Sequence, residues 1–233
     1  MKKLAALILA AALTVGSAAA ISPEEAFPAK NTYPGYADVA EGAWYADAAQ
    51  VCYEVGLITG TDTGFSPDKV LTVGEVAAIA ARMNESITGD PIPMATPAAG
   101  ETLPWYFSYV TYLEKLGIDV PDPEKGATRL ELLTLMGGVV PDDMLSPINT
   151  ITALPDTDDA TVLRFYNAGI LTGVDAWGTF APDKSLTRAE TAALVARVAR
   201  PELRESFTPA DYTLFTAAYL KPSDVLFTNG TTA

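Results

Sequence analysis

Two arginines stand where the start of a helix could bind an anion. Arg129 and Arg188 each follow a threonine and precede an apolar helical segment, in Thr128-Arg129 and Thr187-Arg188. The helix dipole mildly disfavours a cation at the first helical position. A guanidinium beside free backbone amides suits a carboxylate ligand, so one interpretation is an anion pocket. The alternative is a solvated arginine on an exposed turn.

Three glutamates indicate where helices begin. A threonine followed three residues later by glutamate is typical of a capping box, in which each side chain bonds the other residue's amide. The pairs are Thr72 with Glu75, Thr128 with Glu131, and Thr187 with Glu190. We predict that these six residues are structural caps. The first pair encloses Val73 and Gly74 and lacks an arginine, so at most two anion sites are expected.

Two tryptophans recur at equal spacing. Trp44 and Trp105 each stand twelve residues before a glycine, Gly56 and Gly117, and each is followed by tyrosine. Either indole could form an apolar wall for a sugar ring. Packing into the core is the alternative for each.

The residue types argue against catalysis and metal binding. Histidine is absent and Cys52 is alone, which excludes the usual His/Cys zinc sites and a disulfide within the chain. We expect Cys52 to be a buried, inert thiol. No serine or cysteine lies in a nucleophile elbow, and no spacing singles out a carboxylate pair. The sequence therefore predicts no enzyme, cofactor or metal.

The N-terminus and the charge indicate export. Residues 1–20 combine Lys2 and Lys3, an apolar core and small residues, the pattern of a signal peptide cleaved after Ala20. Without the two lysines the chain has 13 basic and 29 acidic residues, a net charge of −16. Such a surface repels nucleic acid and anionic lipid. No later apolar run reaches about 18 residues, so no membrane insertion is expected after cleavage.

The elements that position these residues repeat along the chain. Each threonine ends a motif of proline, acid, lysine, two variable residues and threonine, beginning at Pro67, Pro123 and Pro182. Apolar stripes of helical period flank each motif, which predicts a helix A, a loop and a helix B in each copy. The fold class is therefore all-α, with three tandem helix-loop-helix repeats that must pack on one another.

The repeats divide the chain. We predict a signal peptide at 1–20, an N-terminal lead at 21–35, repeats at 36–84, 105–140 (degenerate) and 153–200, linkers at 85–104 and 141–152, and a C-terminal tail at 201–233. The tail is too apolar for a free linker. It could cover an end of the bundle or dock a surface-protein partner through its apolar residues Tyr212, Leu214, Phe215, Tyr219, Leu220, Leu226 and Phe227.

These residues carry a family resemblance. Trp44-Tyr45-Ala46-Asp47-Ala48, Gly56-Leu57-Ile58-Thr59-Gly60, Phe65-Ser66-Pro67-Asp68 and Leu186-Thr187-Arg188-Ala189-Glu190 resemble the S-layer homology domain. The resemblance implies a pseudo-threefold bundle with the B helices central. It also implies non-covalent anchoring to secondary cell-wall polysaccharide at the bacterial cell wall or S-layer.

The resemblance further implies site residues. Members of the family often hold a pyruvylated amino sugar in grooves between repeats. By position in the family motif, the resemblance implies that Arg188, and next Arg129, binds the carboxylate of the pyruvate ketal. Asp38 and Asp156 could receive sugar hydroxyls; capping the following helix is their alternative role. The alternative function is a structural or protein-binding surface module whose sugar site has decayed.

Overall fold

The computed structural model describes residues 21–210 and is all-helical. No β-strand occurs within these residues, and none of their helices is long and apolar enough to cross a membrane. The predicted signal peptide and the apolar residues predicted in the tail lie outside the described residues. The helices are α1 (Pro23–Ala26), α2 (Ala46–Glu54), α3 (Val73–Thr88), α4 (Phe107–Lys115), α5 (Arg129–Val139), α6 (Ala160–Asn167) and α7 (Arg188–Ala199), with short 3-10 helices at Asp142–Met144 and Pro201–Leu203.

Six of these helices form three units. Unit 1 contains α2 and α3, unit 2 contains α4 and α5, and unit 3 contains α6 and α7, each with helix A first. Helix A of each unit packs on helix B of the preceding unit: α4 packs on α3, α6 on α5, and α2 on α7. Because the last contact returns to the first unit, the packing closes on itself.

The B helices are more buried than the A helices. Ten of the sixteen residues of α3 are buried, nine of twelve in α7 and six of eleven in α5, against three in each A helix. The B helices α3 and α7 bury several alanines, including Ala77, Ala80, Ala192 and Ala196. Small side chains of this kind let neighbouring backbones approach closely. The pseudo-threefold symmetry of the bundle stays a prediction.

Cys52 lies in the contact between α2 and α7. Its side chain is fully buried, and Sγ lies 3.4 Å from the carbonyl oxygen of Ala192. Burial disfavours the thiolate and strongly raises the pKa of the thiol. The thiol is therefore protonated and unreactive, as predicted.

Backbone bonds join the start of each B helix to the loop of the next unit. The first amide of α3 (Val73) donates to Lys125, that of α5 (Arg129) to Lys184, and that of α7 (Arg188) to Lys69, at 2.9, 2.9 and 2.8 Å. The second amide of each helix donates to the proline of the same loop: Gly74 to Pro123, Leu130 to Pro182, and Ala189 to Pro67. The three junctions thus form a closed ring, hereafter the junction ring.

The segments flanking the repeats belong to the same folded body. Phe27, just after α1, is fully buried, and its carbonyl accepts from Nη1 of Arg200 at 3.0 Å. Asn31 donates to Tyr53 O in unit 1, and Asn149 donates to Tyr166 O in unit 3, at 3.0 and 2.9 Å. The predicted lead at 21–35 and linker at 141–152 therefore hold the ends of helices α2 and α6.

Candidate ligand-binding grooves

The three capping boxes form at the predicted junctions. The threonine oxygen accepts from the glutamate amide at 3.2 Å in each, and the threonine amide donates to the glutamate at 3.0 Å for Thr72 and 2.9 Å for Thr128 and Thr187. The second oxygen of each glutamate pairs with the loop lysine of its own unit. These pairs are Lys69–Glu75, Lys125–Glu131 and Lys184–Glu190, at 2.5, 2.5 and 2.7 Å. The sequence pattern contained these lysines but did not predict their pairing.

Two of the cap glutamates have altered acidity. Burial alone would raise the pKa of Glu131 and Glu190. Bonds from Lys125 and Thr128 to the first, and from Lys184 and Thr187 to the second, outweigh burial and lower both pKa values. Both carboxylates are therefore ionised near neutral pH, which strengthens the caps.

The helix starts offer fewer free amides than the sequence predicted. At each B helix the first and second amides donate within the junction ring, and the third donates to the cap threonine. The prediction of an anion bound by free amides was therefore wrong. It failed because a single repeat does not reveal that the next unit supplies the acceptors. An anion here must bind the side chains.

Arg188 and Arg129 are both buried, so the alternative of a solvated arginine was wrong. Arg188 is 5% exposed, and its Nη2 lies 3.5 Å from Oε1 of Glu75. Its Nε has no hydrogen-bond partner among the described residues. Arg129 is 7% exposed; its Nε donates to Phe180 O at 2.6 Å, and its guanidinium lies 5.4 Å from the centre of that ring.

Arg188 lies in a groove built from all three units. The cavity measures about 170 Å³, well above the roughly 10–15 Å³ that one water requires. Unit 3 contributes Arg188, unit 2 contributes Trp105, and unit 1 contributes residues 57–60 with Glu75 and Arg82. We call this cavity the Arg188 groove.

Arg129 lies in a second groove of matching construction. This cavity measures about 320 Å³. Unit 2 contributes Arg129, unit 1 contributes Trp44, and unit 3 contributes residues 171–174 with Lys184, Glu190 and Arg197. We call it the Arg129 groove. Each groove therefore combines two arginines and one tryptophan from three different units.

The second arginine of each groove was not predicted. Arg82 donates from Nη1 to Leu57 O at 3.3 Å, and Arg197 donates from Nη1 to Ile170 O at 2.9 Å. Each holds the loop that follows helix A of its own unit. A sequence signal existed, because each arginine stands seven residues after its cap glutamate, Glu75 or Glu190.

The tryptophans line the grooves and lie largely in solvent. Trp44 is 67% exposed and Trp105 is 57% exposed. Each indole meets the following tyrosine edge to face, with ring centres 5.4 Å apart for Trp44 and Tyr45 and 5.7 Å for Trp105 and Tyr106. The alternative of core packing was therefore wrong. The exposed indoles present apolar surface at each groove.

Asp38 and Asp156 hold loops. Asp38 accepts from the amides of Phe65 and Ser66 at 2.9 and 2.7 Å, and these bonds lower the pKa of its carboxyl. Asp156 accepts from the equivalent Phe180 and Ala181 at 2.8 and 2.7 Å. The helix-cap alternative was wrong, since Asp159 caps α6 and no side chain caps α2. Their part in sugar binding stays a prediction.

The two aspartates stabilise an unusual backbone. Ser66 and Ala181 have φ of +58° and +54°, a left-handed conformation that costs roughly 1–2 kcal/mol for a residue with a Cβ. The following prolines supply the carbonyls that accept from α7 and α5 in the junction ring. The aspartates therefore link the loops of units 1 and 3 to the helix starts that carry the groove arginines.

The remaining junction lacks the groove chemistry. Val73 stands where the other B helices begin with arginine, and Gly138 stands where they have Arg82 and Arg197. Thr157 stands in place of a tryptophan. A cavity between α5 and α6 is lined without arginine, by Leu130, Leu133, Thr134, Gly137, Gly138, Asp159, Thr161 and Val162. This surface offers no cation among its lining residues for an anionic ligand.

Comparison with known proteins identifies related sequences. Residues 35–77 match the family model described as the S-layer homology domain. An S-layer protein of Bacillus thuringiensis subsp. finitimus is 27% identical over 210 residues, and S-layer protein sap of Bacillus anthracis is 28% identical over 210 residues. Each alignment covers 84% of this chain and 24% of the relative.

A third relative is an amylopullulanase of Thermoanaerobacterium thermosulfurigenes. It is 32% identical over 120 residues, which cover 47% of this chain and 6% of that protein. The chain thus spans about a quarter of the length of the S-layer relatives and much less of the amylopullulanase. These similarities support an S-layer homology domain protein. That all three units belong to this family stays a prediction.

Proposed function

We propose that this protein attaches non-covalently to the bacterial cell wall by binding an anionic saccharide in the Arg188 and Arg129 grooves. The observation that carries the proposal is the repeated groove composition. In each, a buried arginine at a helix start, a second arginine and an exposed tryptophan converge from three units. The match to the S-layer homology domain and the S-layer relatives support attachment at the cell surface.

The chemistry of the grooves favours a carboxylate-bearing sugar. A guanidinium binds a carboxylate through charge-assisted hydrogen bonds, and the Arg188 guanidinium lines its groove. The indole offers an apolar surface for the face of a sugar ring. We therefore propose a pyruvylated amino sugar of the secondary cell-wall polysaccharide as the ligand. Secretion through cleavage after Ala20 is part of this proposal.

The net charge of the chain makes such binding selective. The formal charge is −14 at pH 7, so a generic polyanion is repelled by most of the surface. An anionic sugar must therefore enter a groove whose arginines overcome the overall field locally. We propose no catalytic role for this chain.

The test is co-sedimentation of the mature protein with purified cell-wall sacculi. Sacculi that retain their secondary polysaccharide are compared with sacculi from which it has been removed chemically. The expected result is binding to the first preparation and none to the second. Equal binding to both would rule out the proposed polysaccharide. Binding to neither would favour a structural or protein-binding module.

A further inference from the structure

Glu205 lies beside the Arg129 groove and pairs with one of its arginines. Its carboxylate forms an ion pair with Nη2 of Arg197, and it lines a small adjoining cavity together with Trp44 and Arg197. In the Arg188 groove the equivalent Arg82 donates its Nη2 to the hydroxyl of Tyr109 at 3.2 Å. The second arginine is thus countered by an acid in one groove only.

The backbone of Glu205 is held in place. Its amide donates to Gly169 O at 2.9 Å, and its carbonyl accepts from Nδ2 of Asn149 at 3.3 Å. The next anchor is Phe207, whose amide donates to Oδ1 of Asn149 at 2.9 Å. Because the segment is fixed on both sides, its fold directs the carboxylate toward Arg197.

The cap glutamates contribute to both grooves. Glu75 lines the Arg188 groove and Glu190 lines the Arg129 groove, and each pairs with the lysine of its own loop. Glu75 also lies 3.5 Å from Nη2 of Arg188. Glu205 is therefore an additional acid, and it pairs with the second arginine of the Arg129 groove alone.

We propose that Glu205 weakens anion binding in the Arg129 groove by competing with the ligand for Arg197. This inference rests on the proposed function. A ligand carboxylate near Arg197 must compete with Glu205 and meets its negative charge. The Glu205 side chain is 52% exposed, so solvent screens the effect and its size is modest.

The experiment isolates the Arg129 groove. In an R188A background, E205Q is compared with E202Q, a matched control that removes one charge from the same segment outside the lining of either groove. The probe is the methyl glycoside of an amino sugar carrying a pyruvate ketal, and affinity is measured by calorimetry. Thermal unfolding of every variant checks the fold.

We expect R188A/E205Q to bind the probe about 1.5-fold to fivefold more tightly than R188A, the range for an exposed ion pair. R188A/E202Q should match R188A, and the gain should shrink at high salt because exposed charges are screened. If the wild type binds but E205Q and E202Q behave alike, the role of Glu205 is disproved and the proposed function stands. If the wild type does not bind, the proposed function fails and the inference fails with it.

Discussion

Nη2 of Arg188 lies 3.5 Å from Oε1 of Glu75, although the two residues lie in the first turns of helices in different units. The same glutamate oxygen pairs with Lys69, and the other oxygen accepts from the amide of Thr72. Glu75 thus links the cap of α3 to the arginine of the Arg188 groove. Because Lys69 remains beside Glu75 when Arg188 is removed, the carboxylate is not left unpaired.

Arg188→Ala tests the proposed contact between Arg188 and the ligand carboxylate. We expect affinity for the pyruvylated probe in the Arg188 groove to fall at least about tenfold, since a charge-assisted hydrogen bond contributes roughly 1.5–3 kcal/mol. Calorimetry measures the loss of affinity. The Arg129→Ala variant gives the corresponding loss for the Arg129 groove. A cooperative thermal transition must be retained. Unchanged affinity in a folded variant would assign Arg188 to structure alone.

Thr187→Ala tests the cap without touching a groove side chain. Loss of the hydroxyl removes the acceptor for the Glu190 amide, and the free energy of unfolding should fall by about 1 kcal/mol. Urea unfolding measures this, with Thr187→Ser as the control that keeps the hydroxyl. Probe affinity per folded molecule should be unchanged. A large affinity loss with normal stability would contradict the assignment of Thr187 to capping and not to ligand binding.

Trp105→Ala separates binding from stability in the opposite way. The side chain is 57% exposed, so its removal should change the free energy of unfolding by no more than about 0.5 kcal/mol. Affinity in the Arg188 groove should fall roughly threefold to tenfold if the sugar covers some tens of square ångströms of the indole. Trp105→Phe should recover part of the loss. Equal affinity of the wild type, Trp105→Ala and Trp105→Phe for the probe would show that the indole does not contact the ligand.

The stability of the fold should depend on pH through the cap glutamates. Folding lowers the pKa of Glu131 and Glu190 below the ordinary value of 4.5, so the unfolded chain binds protons first as the pH falls. Their contribution is therefore complete above about pH 5 and is lost progressively below pH 4.5. Urea unfolding between pH 7 and pH 3.5 measures the fall. The Glu131→Gln variant should have a lower stability at pH 7 and a shallower acid dependence.

Local features could be predicted from the sequence because they depend on neighbours along the chain. Thr187 and Glu190 are three residues apart, and a helix start brings that spacing into hydrogen-bond reach. The apolar stripes of α3 and α5 likewise follow from helical period alone. The all-α class and the helix starts were predictable for this reason.

Features that join different units could not be predicted in the same way. The acceptor for the Arg188 amide is the carbonyl of Lys69, more than one hundred residues away. The role of Arg82 depends on how residues 57–60 fold back, and an arginine on an amphipathic helix otherwise suggests solvent exposure. The helix-cap alternative for Asp38 failed because a long loop places Phe65 and Ser66 beside it. These relationships arise only when the units assemble.

The junction ring has a consequence for how such a protein can change over evolution. An open solenoid has ends and can gain or lose a repeat there, since each repeat contacts only its neighbours. Here the last unit bonds back to the first, so adding a unit would require the ring to open, and removing one would leave amides of its neighbour without acceptors. The closed ring therefore constrains copy number. Unit 1, whose helix B begins at Val73 in place of an arginine, is still retained because the circle cannot close without it.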